Sequence, residues 1–259
     1  MTTTSNGTRL SAHGPRVDDL LNTAPTVTPT APATPTPTIR TMTICVPDEL
    51  PTPVLNSTRQ LDRHFGVQAT TARRFWATQK LHRWQHHHLI DLHTARHQPA
   101  YCAGGPVRLL DIEGLRHAAG MAAGIRHQLW AHAVRGTRDA APWRLYVQRH
   151  LDDPAKYPMA KAHADFGNQP RVNAMRMHNA AVPGAALDPN ELEMLQNGQM
   201  AYQHYHALLA VCADALLTQA GTRVQPTTDA MADKVTYLHT AMRHIEGLDA
   251  TVRLLAITL

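Results

Sequence analysis

The chain has 259 residues, enough for one medium domain with extensions and enough to bury a core. Aromatic residues make up only 5% while Ala, Leu and Met abound, which favours helix over sheet. A formal charge of +5, before 18 histidines are counted, suits a polyanionic partner without demanding one, and no run reaches the roughly 18 apolar residues of a membrane span. Three dispersed cysteines, Cys45, Cys102 and Cys212, argue against a disulfide framework. Met1 to Leu10 has no apolar signal-peptide core, so a reducing, cytosolic setting is expected.

Half of the 18 prolines lie at or before Pro53, and Thr23 to Thr43 alternates Thr, Pro and Ala. Proline lacks a backbone donor and locks φ, so residues 1–47 read as an extended arm. Its apolar end, Ile39, Met42, Ile44 and Val46, has the alternation needed to insert into a neighbouring subunit; a plain disordered tail is the other reading.

From Ser57 the pattern is helical. Ser57 opens a short helix closed by Gly66, and Thr71 to His97 carries Ala77, Leu81, Trp84, His88 and Leu92 at steps of three and four. After a loop holding Pro99, Gly104, Gly105 and Pro106, Asp111 caps the clearest helix. Ile112, Leu115, Ala119, Ala122, Ile125, Leu129 and Ala133 form its expected buried stripe, ended at Gly136. Proline-punctuated helical pieces follow. Asp188-Pro189-Asn190-Glu191 then starts a helix expected to run through Leu216 to Gly221, and a last helix spans roughly residues 228–257. The sum is an all-α fold: a helical core over residues 48–221 between the arm and a C-terminal helical extension, residues 222–259.

Chemistry motifs are absent. There is no HExxH, GxSxG, phosphate-binding loop or dinucleotide fingerprint, and no carboxylate pair suited to acid–base work. His82/His86 and His93/His97 stand four apart, but no carboxylate or cysteine completes either set. No enzyme activity, cofactor or metal is expected.

Five blocks carry a resemblance: LIDLHTA (Leu89–Ala95), IEGLRHAAGMAAGIRHQLWAHA (Ile112–Ala133), APW (Ala141–Trp143), KAHADFGN (Lys161–Asn168) and AALDPNELEMLQNG (Ala185–Gly198). In these the chain resembles the coat proteins of flexible filamentous plant viruses, potexviruses among them, over about Leu50 to Leu217. The first two blocks keep the family's spacing, with Asp91, Thr94, Leu115 and Arg126 in register together. The family's aromatic-rich block is reduced here to Ala-Asp-Phe, and the last helix has no counterpart.

The resemblance implies a non-enzymatic coat subunit that polymerises around single-stranded RNA, found in the virion and the host cytoplasm. It implies an RNA groove lined by Thr94, Arg126 and Asp165, with Arg126 forking onto phosphate, Thr94 offering a hydroxyl and Asp165 orienting Arg126 or accepting from a base or 2′-OH. Each has a plainer reading: a surface arginine near Glu113 or another acid for Arg126, a local cap for Thr94, and a cap of the turn at Gly167-Asn168 for Asp165. The arm and the C-terminal extension would join the chain to further copies of itself. The rival reading is a small helical nucleic-acid-binding oligomer of a plasmid or phage. Its dimer seam would lie between Val235 and Leu255.

Overall fold

The structure is a computed structural model and describes residues 37–46, 50–55, 57–66, 68–94, 96 and 99–259. The Thr/Pro/Ala-rich stretch up to residue 36 lies outside the described residues. Strand β1 (Thr41–Val46) comes first, then helices α1 (Thr52–Leu55) and α2 (Thr58–Phe65) and the two-residue strands β2 (Thr70–Thr71) and β3 (Phe75–Trp76). A 3-10 turn over Arg83–His88 and strands β4 (Tyr101–Cys102) and β5 (Gly104–Pro106) lead into α3 (Ile112–Ala133). Helices α4 (Trp143–Asp152), α5 (Met159–Gly167), α6 (Pro170–Ala181), α7 (Leu192–Gln196) and α8 (Gln199–Cys212) follow. The chain ends with β6 (Ala215–Leu217), β7 (Arg223–Val224), α9 (Met231–Glu246) and β8 (Arg253–Thr258).

A mixed sheet organises these elements. β1 runs antiparallel to β8 over six residues, from Thr41 opposite Thr258 to Val46 opposite Arg253. On its other side β1 runs parallel to β6, which pairs antiparallel with β7. The far edge of β8 is shared by β2 at its end and β5 at its start. At that edge Gly104 is a steric necessity: a Cβ there would lie 1.9 Å from the carbonyl oxygen of Leu254.

The sheet is covered on both faces. Cys45, Leu254, Ala256 and Leu216 face α8 and α9, where Val211, Leu238, Ala241 and Ile245 meet them. Met42, Ile44, Val46, Leu255 and Ile257 face the other way, onto Leu55, Leu61 and Ile90. A third core, without strands, lies among α3, α6, α7 and α8, around Trp130, Met175, Leu195 and Tyr202. Asp214 ties the sheet to α8, because its Oδ2 accepts from the Thr41 backbone N–H and hydroxyl, both at 2.9 Å. The Thr43 hydroxyl donates to the carbonyl of Val211 at 2.7 Å.

The all-α expectation is therefore overturned: the fold is a mixed helix-and-sheet architecture. Strands buried on both faces are unbroken apolar runs with no alternation, and such runs continue a helical stripe as readily as they form a strand. Hence Ala215–Leu217 and Arg253–Thr258, read as helix, are strands, and the Thr71–His97 segment is two short strands and a 3-10 turn. The segments read as arm and as extension each contribute one of the two central paired strands, β1 and β8. Met42, Ile44 and Val46 are buried within their own chain and Ile39 packs against the same cluster, so these side chains are committed to an internal sheet.

Ile44 is fully buried in the middle of β1. Ile44→Ala should lower the stability to chemical denaturation by about 2–5 kcal/mol, the range for a large-to-small change in a packed core. A loss below about 1 kcal/mol would mean that β1 is not held inside the sheet as described.

Candidate nucleic-acid interface

Between β3 and β4, which pair with each other, the chain makes a 24-residue excursion. Phe75, Ala77, Leu89, Ile90 and Cys102 bury its base. Two bridges, Ile90 to Gly104 and His93 to Tyr101, tie its return leg to β4 and β5. The excursion's outer side is polar and basic. From Arg73 to Arg108 there are six Lys or Arg residues and one carboxylate, Asp91.

Asp91 is taken by Arg73 in a forked pair, with Nε donating to Oδ2 at 2.8 Å and Nη2 to Oδ1 at 2.7 Å. The backbone of Asp91 is left-handed, with φ of 50°, a conformation Asp tolerates better than most residues. Arg74 turns inward, where its Nη2 donates to the carbonyl of Leu209 at 3.0 Å and meets the C-terminal end of α8, the favourable end for a cation. Burial lowers its pKa from the usual arginine value. Lys80, Arg83, Arg96 and Arg108 are exposed, and their side chains make no ion pair among the described residues.

Aromatic surface is interleaved with this charge. Trp84 is 65% exposed and stacks on His82 with ring centroids 6.1 Å apart and planes 7° from parallel. The 3-10 turn that carries both has its own capping contact, the His82 N–H donating to Oε1 of Gln85 at 2.9 Å. His87 and His88 are 3.9 Å apart, and desolvation, the neighbouring His87 and Arg108 together lower the pKa of His88. The cationic form of His88 is therefore disfavoured. A cavity of about 470 Å³ opens beside the turn, bordered by Trp76, Gln79, His86, Thr94 and Asp111. A stacking indole among unpaired guanidinium and ammonium groups is what a single-stranded polyanion with exposed bases requires.

Of the three residues carried over from the coat-protein resemblance, only Thr94 belongs here, exposed at the cavity mouth. Arg126 is on the inner side of α3. Its Nη1 donates to the hydroxyl of Tyr202 at 3.3 Å, and that hydroxyl donates to Oε2 of Glu191 at 2.5 Å. Nε2 of His206 stands 3.5 Å from Oε1 of Glu191, an ion-pair separation rather than a hydrogen bond. Asp165, on α5, accepts from the hydroxyl of Tyr157 at 2.8 Å.

Among the described residues no hydrogen bond or ion pair joins any two of Thr94, Arg126 and Asp165. Glu113 pairs with Arg116, and the acid near Arg126 is Glu191, reached through Tyr202; Asp165 meets a tyrosine rather than a turn. The facing of α3 explains the first outcome. Its inner side is Leu115, Ala123, Gly124 and Trp130, while Ile125 and Leu129, expected in the buried stripe, are exposed.

Lys80 and Arg83 were not singled out as site residues by the sequence reading, and Trp84, placed there on a helical stripe, is exposed. The signal available for them was the sign asymmetry between residues 73 and 108. No group of three or more metal-ligating side chains gathers among the described residues. The cysteines Cys45, Cys102 and Cys212 are buried, and desolvation pushes each thiol up to about 12, which leaves them unreactive at neutral pH.

The Arg126–Tyr202–Glu191–His206 cluster is a stability device with a pH signature. Burial works to raise the Glu191 pKa, but His206, the Tyr202 hydroxyl and the Arg126 charge outweigh it and hold the carboxyl below its ordinary value. Its contribution to stability is thus complete above the unfolded-state value, about 4.3, and is lost as pH falls through the lower folded-state value. Glu191→Gln should flatten the acid limb of the unfolding midpoint below about pH 4.5; an unchanged limb would contradict this coupling. No protein-family model, curated protein or solved structure matches the chain.

Proposed function

We propose that this chain is a non-enzymatic single-stranded nucleic-acid-binding protein that holds RNA along the face between residues 78 and 108. The observation that carries the proposal is the segregation of charge: four exposed cations with no ion-pair partner among the described residues share this segment with the exposed Trp84, and a cavity of about 470 Å³ opens beside its 3-10 turn. Guanidinium and ammonium groups hold phosphates whatever the sequence, and an indole stacks on any base, so binding is largely sequence-neutral.

The coat-protein assignment is the polymeric form of this proposal, with the subunit arrayed along genomic RNA in a filamentous virion in the host cytoplasm. Its support is the set of motifs between Leu89 and Gly198. An open polymer needs heterologous contacts that do not close, and with Met42, Ile44 and Val46 inside the chain's own sheet those contacts must come from elsewhere on the surface. The plasmid- or phage-type oligomer is the closed form of the same proposal.

Fluorescence anisotropy with a labelled oligouridylate tests the binding face. Affinity should fall with salt at roughly 0.7 log units per log unit of salt for each phosphate contacted, and Lys80→Ala with Arg83→Ala together should reduce that slope by about 1.4. Trp84→Ala should weaken binding by about 1–3 kcal/mol, the worth of one stacked base. Arg126→Met should leave the affinity unchanged while lowering stability, because its guanidinium serves Tyr202. Salt-independent binding, or loss of binding only in the Arg126 variant, would overturn the proposal. Electron microscopy of the protein with RNA separates its two forms, long flexible rods for the coat and discrete particles for the oligomer.

A further inference from the structure

The outer face of α3 is apolar. Met121, Ile125 and Leu129 stand at steps of four and are 54%, 59% and 41% exposed, and Met200 of α8, 79% exposed, flanks Met121. Ala122, also exposed, lies between them and leaves the backbone open to close approach. The stripe faces water because the opposite side of α3 is spent on α8 and the strandless core. There Gly124 admits Gln203 so closely that a Cβ would lie 2.1 Å from its Nε2. Four large apolar side chains in one exposed patch are more than scattered surface apolarity explains.

We infer that this stripe is a self-association surface on which α3 of a second copy packs antiparallel, about a two-fold axis at Ile125. Three features of this chain select that occupant. First, the spacing is self-complementary: with the axis at Ile125, Met121 of each copy meets Leu129 of the other, and Ile125 meets itself. Second, the surface supplies a hole for the knob. A groove of about 350 Å³ between α3 and α8 is floored by Gly120 and Ala207, rimmed by Met121 and Met200 and bordered further along by Arg116, His117 and Gln203, and its Met121 end lies where Leu129 of the second copy arrives.

Third, the charges at the two ends are opposite. Glu113, which also pairs with Arg116 of its own chain, lies 12 residues and about 18 Å before the axis, and Arg135 stands two residues past the end of α3, 10 residues after the axis. An antiparallel partner therefore brings each Glu113 beside the other copy's Arg135, whereas a parallel partner would set like against like. Arg135 is exposed and its side chain has no hydrogen bond or ion pair among the described residues. The contact is one helix face with one flanking side chain, below the roughly 800 Å² per partner of a standard interface, so the dimer is reversible rather than permanent.

Sedimentation velocity of the full chain without nucleic acid, across roughly 1 to 100 micromolar, is the test. The expected result is a concentration-dependent dimer. Ile125→Glu enters the contact twice and should raise the dissociation constant at least about a hundredfold, roughly tenfold for each buried charge. Met177→Glu, on the exposed face of α6, should leave it unchanged.

Because Ile125 is exposed, the variant keeps its fold, and an unchanged circular dichroism spectrum checks this. Ile125→Cys should form a disulfide-linked dimer under mild oxidation, since the three native cysteines are buried and residue 125 meets its own copy at the axis. A monomer at every concentration would overturn the inference. So would association that survives Ile125→Glu, or association lost only when residues 1–36 are removed, the last of which would assign the stripe to another occupant.

Discussion

The structure depends on the burial of one strand. β1 has hydrogen-bonded neighbours on both edges, β8 antiparallel and β6 parallel, and apolar cover on both faces, so residues 42–46 are all lost to solvent. A strand so placed cannot be added late or removed cheaply, because its own backbone groups and those facing it would be left unpaired in an apolar interior. It joins the two ends of the described chain: 41–46 sits against 253–258, and α8 delivers β6 to its other side. The tight turn between α8 and β6 places Ala213 at φ 60°, a backbone conformation disfavoured for a residue with a Cβ, while Asp214 fastens the turn to Thr41.

From this frame the two proposed surfaces follow. The β3–β4 pair and the bridges to β4 and β5 hold the root of the 77–100 excursion in the core, which frees its outer side to carry charge and Trp84. Pairing Asp91 with Arg73 and turning Arg74 inward removes the segment's one carboxylate and two of its six cations from play, leaving Lys80, Arg83, Arg96 and Arg108 to set the field. On α3, packing against α8 fixes which side is inner. Arg126 consequently meets Tyr202, and the Met121–Ile125–Leu129 stripe meets water.

The helices were legible in the sequence where local chemistry marks them. Asp111 caps α3 by accepting from the Gly114 N–H at 2.9 Å, Gly66 ends α2 in the left-handed conformation, and Asp188-Pro189 begins a helical turn. The sheet was not legible, because the partners of β1 lie about 170 and 210 residues away and their apolar runs match a helical stripe equally well. The phase of α3 was misread for a related reason: its apolar residues occupy more than one stripe, and only the contact with α8 decides which is inner. Of the candidate site, the charge asymmetry and Thr94 were readable. The separation of Arg126 and Asp165 into two unrelated tyrosine contacts needed the fold.

Hydrogen-exchange mass spectrometry of the full chain with and without a single-stranded oligonucleotide tests the central claim most directly, since it maps the contact without altering any residue. The account predicts added protection concentrated in peptides spanning residues 78–108, with α3 and α5 unchanged. Protection centred on Arg126 or Asp165, or none at any nucleic-acid concentration, would contradict it.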